Sequence, residues 1–158
     1  MRVELGTRTA DTVAVYFERA QQDIIRRTLP QKAQTLEEAL RDYEDTLRPD
    51  AESFGRTILA DGAYVGDVWC CCIDKAEEPN AMLSCCVFET SCWGRGITSG
   101  AVALFLAEVR ERYDLRTVGA FTYADNEAST RVLEKNGFSM AEEFCEDGRR
   151  SKYFQREL

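Results

Sequence analysis

A short apolar run, Leu83 to Phe88, leads into Trp93-Gly94-Arg95-Gly96, and Ala101, Leu104, Phe105 and Val109 then recur at helical spacing. A run of that length reads as a buried strand and the spacing after it as a helix, so the two glycines sit in a strand-to-helix turn. Such a turn presents the first amides of a helix. These lack carbonyl partners and lie at the positive end of the macrodipole, so a phosphate there gains hydrogen bonds and field together. Gly94 and Gly96 admit close approach of the backbone, because no β-carbon intervenes. The spacing excludes two common phosphate binders. No Gly-x-x-x-x-Gly-Lys-Ser/Thr occurs, and Ser99 stands where a dinucleotide fingerprint needs its third glycine. Taken alone, the glycines fit equally well a turn that needs them for geometry only.

The flanking sequence frames this turn with a mostly antiparallel sheet. Arg2 to Leu5 reads as a strand, and a helix from about Thr9, with Val13, Phe17 and Ala20 on one face, runs toward a break at Leu29-Pro30. Thr35-Leu36-Glu37-Glu38 has the form of a capping box, and Leu36, Ala39, Leu40, Tyr43 and Leu47 make an apolar stripe behind it. Phe54 to Ala60, Tyr64 to Ile73 and Met82 to Phe88 form a meander, with Asp61-Gly62 as its first hairpin turn. After the glycine turn the helix reaches about Arg112. Thr117 to Thr122 is then a strand, Asn126 to Lys135 a helix stopped by Asn136-Gly137, and Phe138 to Phe144 with Ser151 to Gln155 a hairpin around Asp147-Gly148. No linker or repeat interrupts the 158 residues, so residues 1–158 are expected to form a single domain.

Charge and cysteine content narrow the function classes. Twenty basic against twenty-eight acidic residues give a net charge of -8, which disfavours nucleic acid and mildly favours cationic partners. Neither a signal peptide nor a membrane span is expected, and a cytoplasmic location follows. Cys70, Cys71, Cys72, Cys85, Cys86, Cys92 and Cys145 include no Cys-x-x-Cys pair, and the chain has no histidine, so no metal site is expected. Adjacent cysteines on a strand point to opposite faces, which keeps the Cys70 to Cys72 run from converging. They read as small buried apolar residues of a reducing compartment.

Trp93-Gly94-Arg95-Gly96-Ile97-Thr98 and the later Asn126-Glu127-Ala128-Ser129 to Asn136-Gly137-Phe138 together resemble the GNAT superfamily of acetyl-CoA-dependent N-acetyltransferases. The similarity is to the subgroup that includes ribosomal-protein N-terminal acetyltransferases. It implies an α+β fold whose central, mostly antiparallel, twisted sheet of six or seven strands splays in the middle and carries about four helices. The family's Arg/Gln-x-x-Gly-x-Gly/Ala turn falls here on Trp93, Gly96 and Thr98, so two of its three positions depart. By this resemblance, Val87 and Phe88 hold the pantetheine arm of acetyl-CoA along the strand. Trp93, Arg95, Gly96, Ile97, Thr98 and Ser99 hold the pyrophosphate, and Asn126 and Ser129 complete the cofactor contacts. Many members place a tyrosine seven residues after the asparagine as general acid, but that position is Leu133. Ser129, one turn after Asn126, is the substitute the subgroup resemblance suggests, and Glu89, adjoining the cofactor strand, is a candidate base, with Asp67 as another. Both acids also read as paired structural carboxylates, and Asn126 also reads as a helix cap.

The resemblance implies transfer of acetyl from acetyl-CoA directly to a primary amine, without metal. The acceptor is a protein amino terminus or a small amine such as a polyamine, aminoglycoside or amino-acid derivative. A non-catalytic CoA-binding sensor of the same fold is the competing reading. A homodimer is left open.

Overall fold

Asp61 and Gly62 take φ of 49° and 83°, the pair of left-handed residues that a two-residue hairpin turn requires. They fold β2 (Phe54–Ala60) back on β3 (Ala63–Asp74), with Ala60 opposite Ala63. Around this hairpin the computed structural model describes residues 1–158 as one seven-stranded sheet. β1 (Val3–Thr7) lies beside β2, and β4 (Asn80–Val87) lies beside β3. β5 (Thr117–Tyr123) runs parallel to β4, and β7 (Arg149–Glu157) and the edge strand β6 (Ser139–Glu146) follow it as a hairpin. The sheet is mixed and mostly antiparallel, as expected.

Five helices pack on it, one more than the sequence reading gave: α1 (Ala10–Arg19), α2 (Asp23–Thr28), α3 (Leu36–Asp45), α4 (Ile97–Tyr113) and α5 (Glu127–Lys135). The added element arises because the first helix breaks after Arg19. Gln22 adopts ψ of 134°, while the Gln21 and Gln22 side-chain amides donate to the Phe17 and Arg19 carbonyls. The freed helix end is thereby satisfied. The break lets Ala20 and Ile25, 1% exposed each, pack together with Cys86 beneath them.

Two further local expectations are corrected. At α3, Thr35 accepts the Glu38 N–H as a cap should, but the Glu38 carboxylate accepts from the amide of Gln34 and not of Thr35. The full capping box lies instead at Thr9 and Thr12, before α1. The α3 stripe is also shallower than its pattern: no residue of α3 is buried, and Leu36 and Leu47 are exposed. In α4 the buried residues are Ile97, Ala101, Val102, Phe105, Leu106 and Val109, while Leu104 faces out at 46% exposure. This row of α4 meets Ile58, Val68, Cys70, Leu83 and Val118 from the sheet to form the main core.

Candidate active site

β4 and β5 pair only at Asn80–Thr117, Ala81–Val118 and Met82–Gly119, and from there Leu83–Val87 pair with β3 alone. The strands diverge toward their carboxyl ends. Because they are parallel, α4 and α5, which follow them, both start at that end, on either side of the opening. Ligands of open α/β sheets sit in such a crevice.

The inner wall of the opening is the free edge of β4. Phe88 donates its N–H to the Val65 carbonyl at 2.9 Å, which turns the backbone groups of Phe88, Cys86 and Ser84 toward β3. By the alternation of a strand, those of Val87 and Cys85 face the opening. The Val87 carbonyl accepts the Trp93 indole N–H at 2.8 Å, and the Phe88 carbonyl accepts from Gln22, the residue before α2, at 3.2 Å. Trp93 thus meets the same strand edge that the resemblance gives to the pantetheine arm. Phe88 lies one residue past β4, its ring buried between Tyr16 and Tyr64.

At the turn, Gly94 and Gly96 have φ of 77° and 78°, and a β-carbon at either would meet nothing within 4 Å. The glycines are therefore required by backbone conformation, and the ground in front of them is open. Gly96 caps α4 without a side-chain hydrogen bond, and the N–H groups of Ile97, Thr98 and Ser99 have neither backbone nor side-chain partners. The buried Ile97 side chain anchors the turn, while Arg95 is exposed and makes no ion pair. Open space, unpaired amides and a free guanidinium suit a phosphate group.

Asn136 holds this turn in place, a role the sequence reading did not assign to it. Its side-chain amide donates to the carbonyl and hydroxyl of Ser99 at 3.2 and 3.3 Å and to the Val132 carbonyl at 3.0 Å. Its own carbonyl accepts from Arg156 at 2.8 Å. Asn136 is 7% exposed and ties the end of α5 to the first turn of α4.

On the far side of the opening, the Asn126 side chain caps α5 by accepting the Ser129 N–H at 3.1 Å. Ser129 is half-buried, and its hydroxyl makes no hydrogen bond within the protein. Leu133, the position of the missing tyrosine, is buried at 5% exposure. Glu89 follows Phe88 with its side chain 41% exposed, 4.0 Å from Arg19, and accepts from Ser91. Asp67 is different. At 2% exposure it accepts from Arg8 at 2.9 Å and from Tyr64 at 2.5 Å, which leaves it a paired structural acid. Burial pushes its carboxyl up from the usual range, against the opposing pull of Arg8. Burial likewise raises the Tyr16 and Tyr64 hydroxyls and the Cys85 thiol, and pushes the Cys86 thiol to about 11. At neutral pH these two hydroxyls and two thiols carry no charge.

A family model described as an acetyltransferase (GNAT) domain matches residues 2–139. No curated protein matches the chain. Among solved structures, an acetyltransferase that modifies the N-terminal serine of ribosomal protein L7/L12 in Salmonella typhimurium is 17% identical. That alignment covers 99% of this chain and 95% of the other, at a TM-score of 0.82. Spermidine N-acetyltransferase from Vibrio cholerae, in complex with CoA and spermine, is 12% identical over 98% and 95% of the two chains, at 0.86. The aminoglycoside acetyltransferase AAC(6')-Ib, in complex with coenzyme A, is 14% identical over 99% and 95%, at 0.81. These likenesses establish the fold.

Proposed function

The chain belongs to the GNAT acetyltransferase family, and from that premise we propose that it carries acetyl from acetyl-CoA directly to the amino terminus of a peptide or protein. One observation carries the reading: the unpaired amides of Ile97, Thr98 and Ser99, with Arg95 beside them, open next to the unpaired edge of β4. The turn receives the pyrophosphate, and the β4 edge at Cys85 and Val87 receives the pantetheine arm once Trp93 releases the Val87 carbonyl, while Phe88, its own N–H and carbonyl already bonded to Val65 and Gln22, adjoins that edge. Asn126 and Ser129 close the far side. Acetyl-CoA supplies an activated thioester, and no metal takes part.

The chemistry asks little of the protein beyond position. A neutral amine attacks the thioester carbon, the C–N bond forms, the C–S bond breaks, and the amine proton leaves. An ordinary thiol has a pKa near 8.5, so the departing sulfur needs a hydrogen bond more than a full proton, and the free Ser129 hydroxyl supplies it. Glu89, one residue past Phe88 and open to solvent, takes the amine proton.

Two considerations favour a peptide amino terminus over a polyamine or aminoglycoside. An α-amine near 7.8 is neutral in about one molecule in ten at pH 7, against fewer than roughly one in a thousand for an alkylamine. α2 also borders the opening, through Gln22 on Phe88 and through Arg149 of β7 on the Arg27 carbonyl. Arg26 and Arg27 on it are exposed and have no carboxylate within ion-pair distance. Although the whole chain is acidic, α2 with Asp23, Arg26 and Arg27 is net positive and disfavours polycations. The reading also takes residues 1–158 as one domain working in the cytoplasm.

A second reading, a CoA-binding sensor, draws on the buried Leu133 in place of a tyrosine. Release of free CoA thiol, followed with α-amine peptides, spermidine and an aminoglycoside, tests both. Turnover with peptides is expected. Tight acetyl-CoA binding without thiol release for any amine would make the protein a sensor, and preference for the polycations would overturn the acceptor.

A further inference from the structure

The strand alternation that keeps neighbouring side chains apart fails at one place in β3. Cys70 is buried in the core, Cys71 is half-buried and Cys72 is exposed. Cys72 has φ of 55°, in the left-handed region that L-residues rarely adopt. It falls in the irregularity between Cys71 and Asp74 where pairing with β4 loses register. In a regular strand the two side chains would diverge. Here the Cys71 and Cys72 sulfurs lie 3.8 Å apart, and neither is in a disulfide. The sequence-based expectation that this run cannot converge is corrected for these two residues.

We propose that Cys71 and Cys72 form a dithiol site for a trivalent thiophilic metalloid of the arsenous class. The spacing fits capture by one atom. Two metal–thiolate bonds of about 2.3 Å each meeting at one shared atom span the 3.8 Å between the sulfurs, and a pyramidal centre draws them slightly closer. Soft sulfur selects soft partners, and no third or fourth histidine, cysteine or carboxylate gathers here, so a closed zinc site cannot form. An organoarsenous centre needs only two sulfurs, because its third bond is to carbon. In the reaction both S–H bonds break, two As–S bonds form, and the arsenic oxo oxygen leaves as water with the two protons. No oxidation state changes, and no co-reactant is required.

The pair is remote from the transferase site. Cys71 lies opposite Met82, toward the amino-terminal end of β4, whereas the glycine turn follows its carboxyl end. Binding there therefore stands independently of acetyl transfer.

The test uses the reduced full-length chain and phenylarsine oxide, read by intact mass and by mapping the adduct after proteolysis. The expected result is roughly one arsenic per chain. It maps to the Cys70 to Asp74 segment, survives excess glutathione and is removed by a dithiol. Cys71→Ser and Cys72→Ala each abolish it, and Cys145→Ser leaves it. No adduct on the parent chain, or an adduct mapped elsewhere, would overturn the proposal. Retention in both the Cys71→Ser and Cys72→Ala chains would do so as well. Mapping on the parent chain keeps the test decisive even where a variant folds poorly.

Discussion

At Ser129 and Cys86 single side chains bear on the proposed chemistry and on the stability of this protein. The Ser129 hydroxyl is left free because the Asn126 cap uses only its backbone N–H. Ser129→Ala is expected to lower kcat about tenfold to a hundredfold, the low end for a group that meets developing charge, with little change in the Kd for acetyl-CoA. Stopped turnover assays and a binding titration separate the two, and an unchanged kcat removes Ser129 from the mechanism. Cys86 acts on stability. Its thiol is raised from 9.0 to about 11, and that of Cys70 to about 12, chiefly by burial. A raised folded-state value means that the contribution is fully present below pH 9 and is lost as pH rises through 11 to 12. Each thiol steepens that loss by about 1.4 kcal/mol per pH unit. Urea melts across this window should flatten for Cys86→Ala, and an unchanged slope would contradict the assignment. The burial of Cys86 was legible in the sequence, but the vacancy of the Ser129 hydroxyl was not. Hydrogen bonding is a property of the neighbours, and it turned Asp67, one of two candidate bases, into a paired acid.

Among the elements, the junction of α4 and α5 fixes the turn that we propose binds the cofactor. Asn136 has no part in the chemistry, yet its amide fixes the carbonyl and hydroxyl of Ser99 while Arg156 holds its backbone. Asn136→Ala frees the first turn of α4, and losing hydrogen bonds of about 1 kcal/mol each corresponds to a rise of roughly tenfold in the KM for acetyl-CoA. Saturating kcat should remain near that of the parent. Equal loss in both constants would mean that the clamp does not act through the turn. The turn itself was legible, because strand, paired glycines and helix follow one another directly. The clamp was not, because it joins residues 37 apart and Asn136-Gly137 reads locally as a helix stop. The same limit hid α2. The apolar spacing from Val13 to Ala20 runs on without a proline, and only the glutamine side chains bonding back to the Phe17 and Arg19 carbonyls reveal the break.

Over the whole molecule, the distribution of charge matters more than its sum. The net of -8 points to a cationic partner, but the arginines of α2 reverse that at the rim of the opening. Joint replacement of Arg26 and Arg27 by glutamate is expected to lower kcat/KM for α-amine peptides bearing acidic side chains roughly tenfold and to improve spermidine. Both effects should shrink as salt rises. A salt-independent result would exclude a charged rim. The meander, the last hairpin and four of the helices followed from patterning, since each hairpin turn and apolar run is a local signal, while the splayed central sheet came from the family resemblance. The acceptor side did not, since it depends on which surfaces α2 and the β6–β7 hairpin bring together.

The short β4–β5 ladder has a mechanical consequence. Three rungs join the half of the sheet containing β1 to β4 to the half containing β5, β7 and β6, so the seam between them is the weakest line of cooperativity. A cofactor lying along β4, with contacts to α5, supplies the rungs that the chain omits and stitches the halves into one unfolding unit. Deuterium uptake should therefore be faster in β5 and β7 than in β2 and β3 without CoA, and should converge when CoA is added.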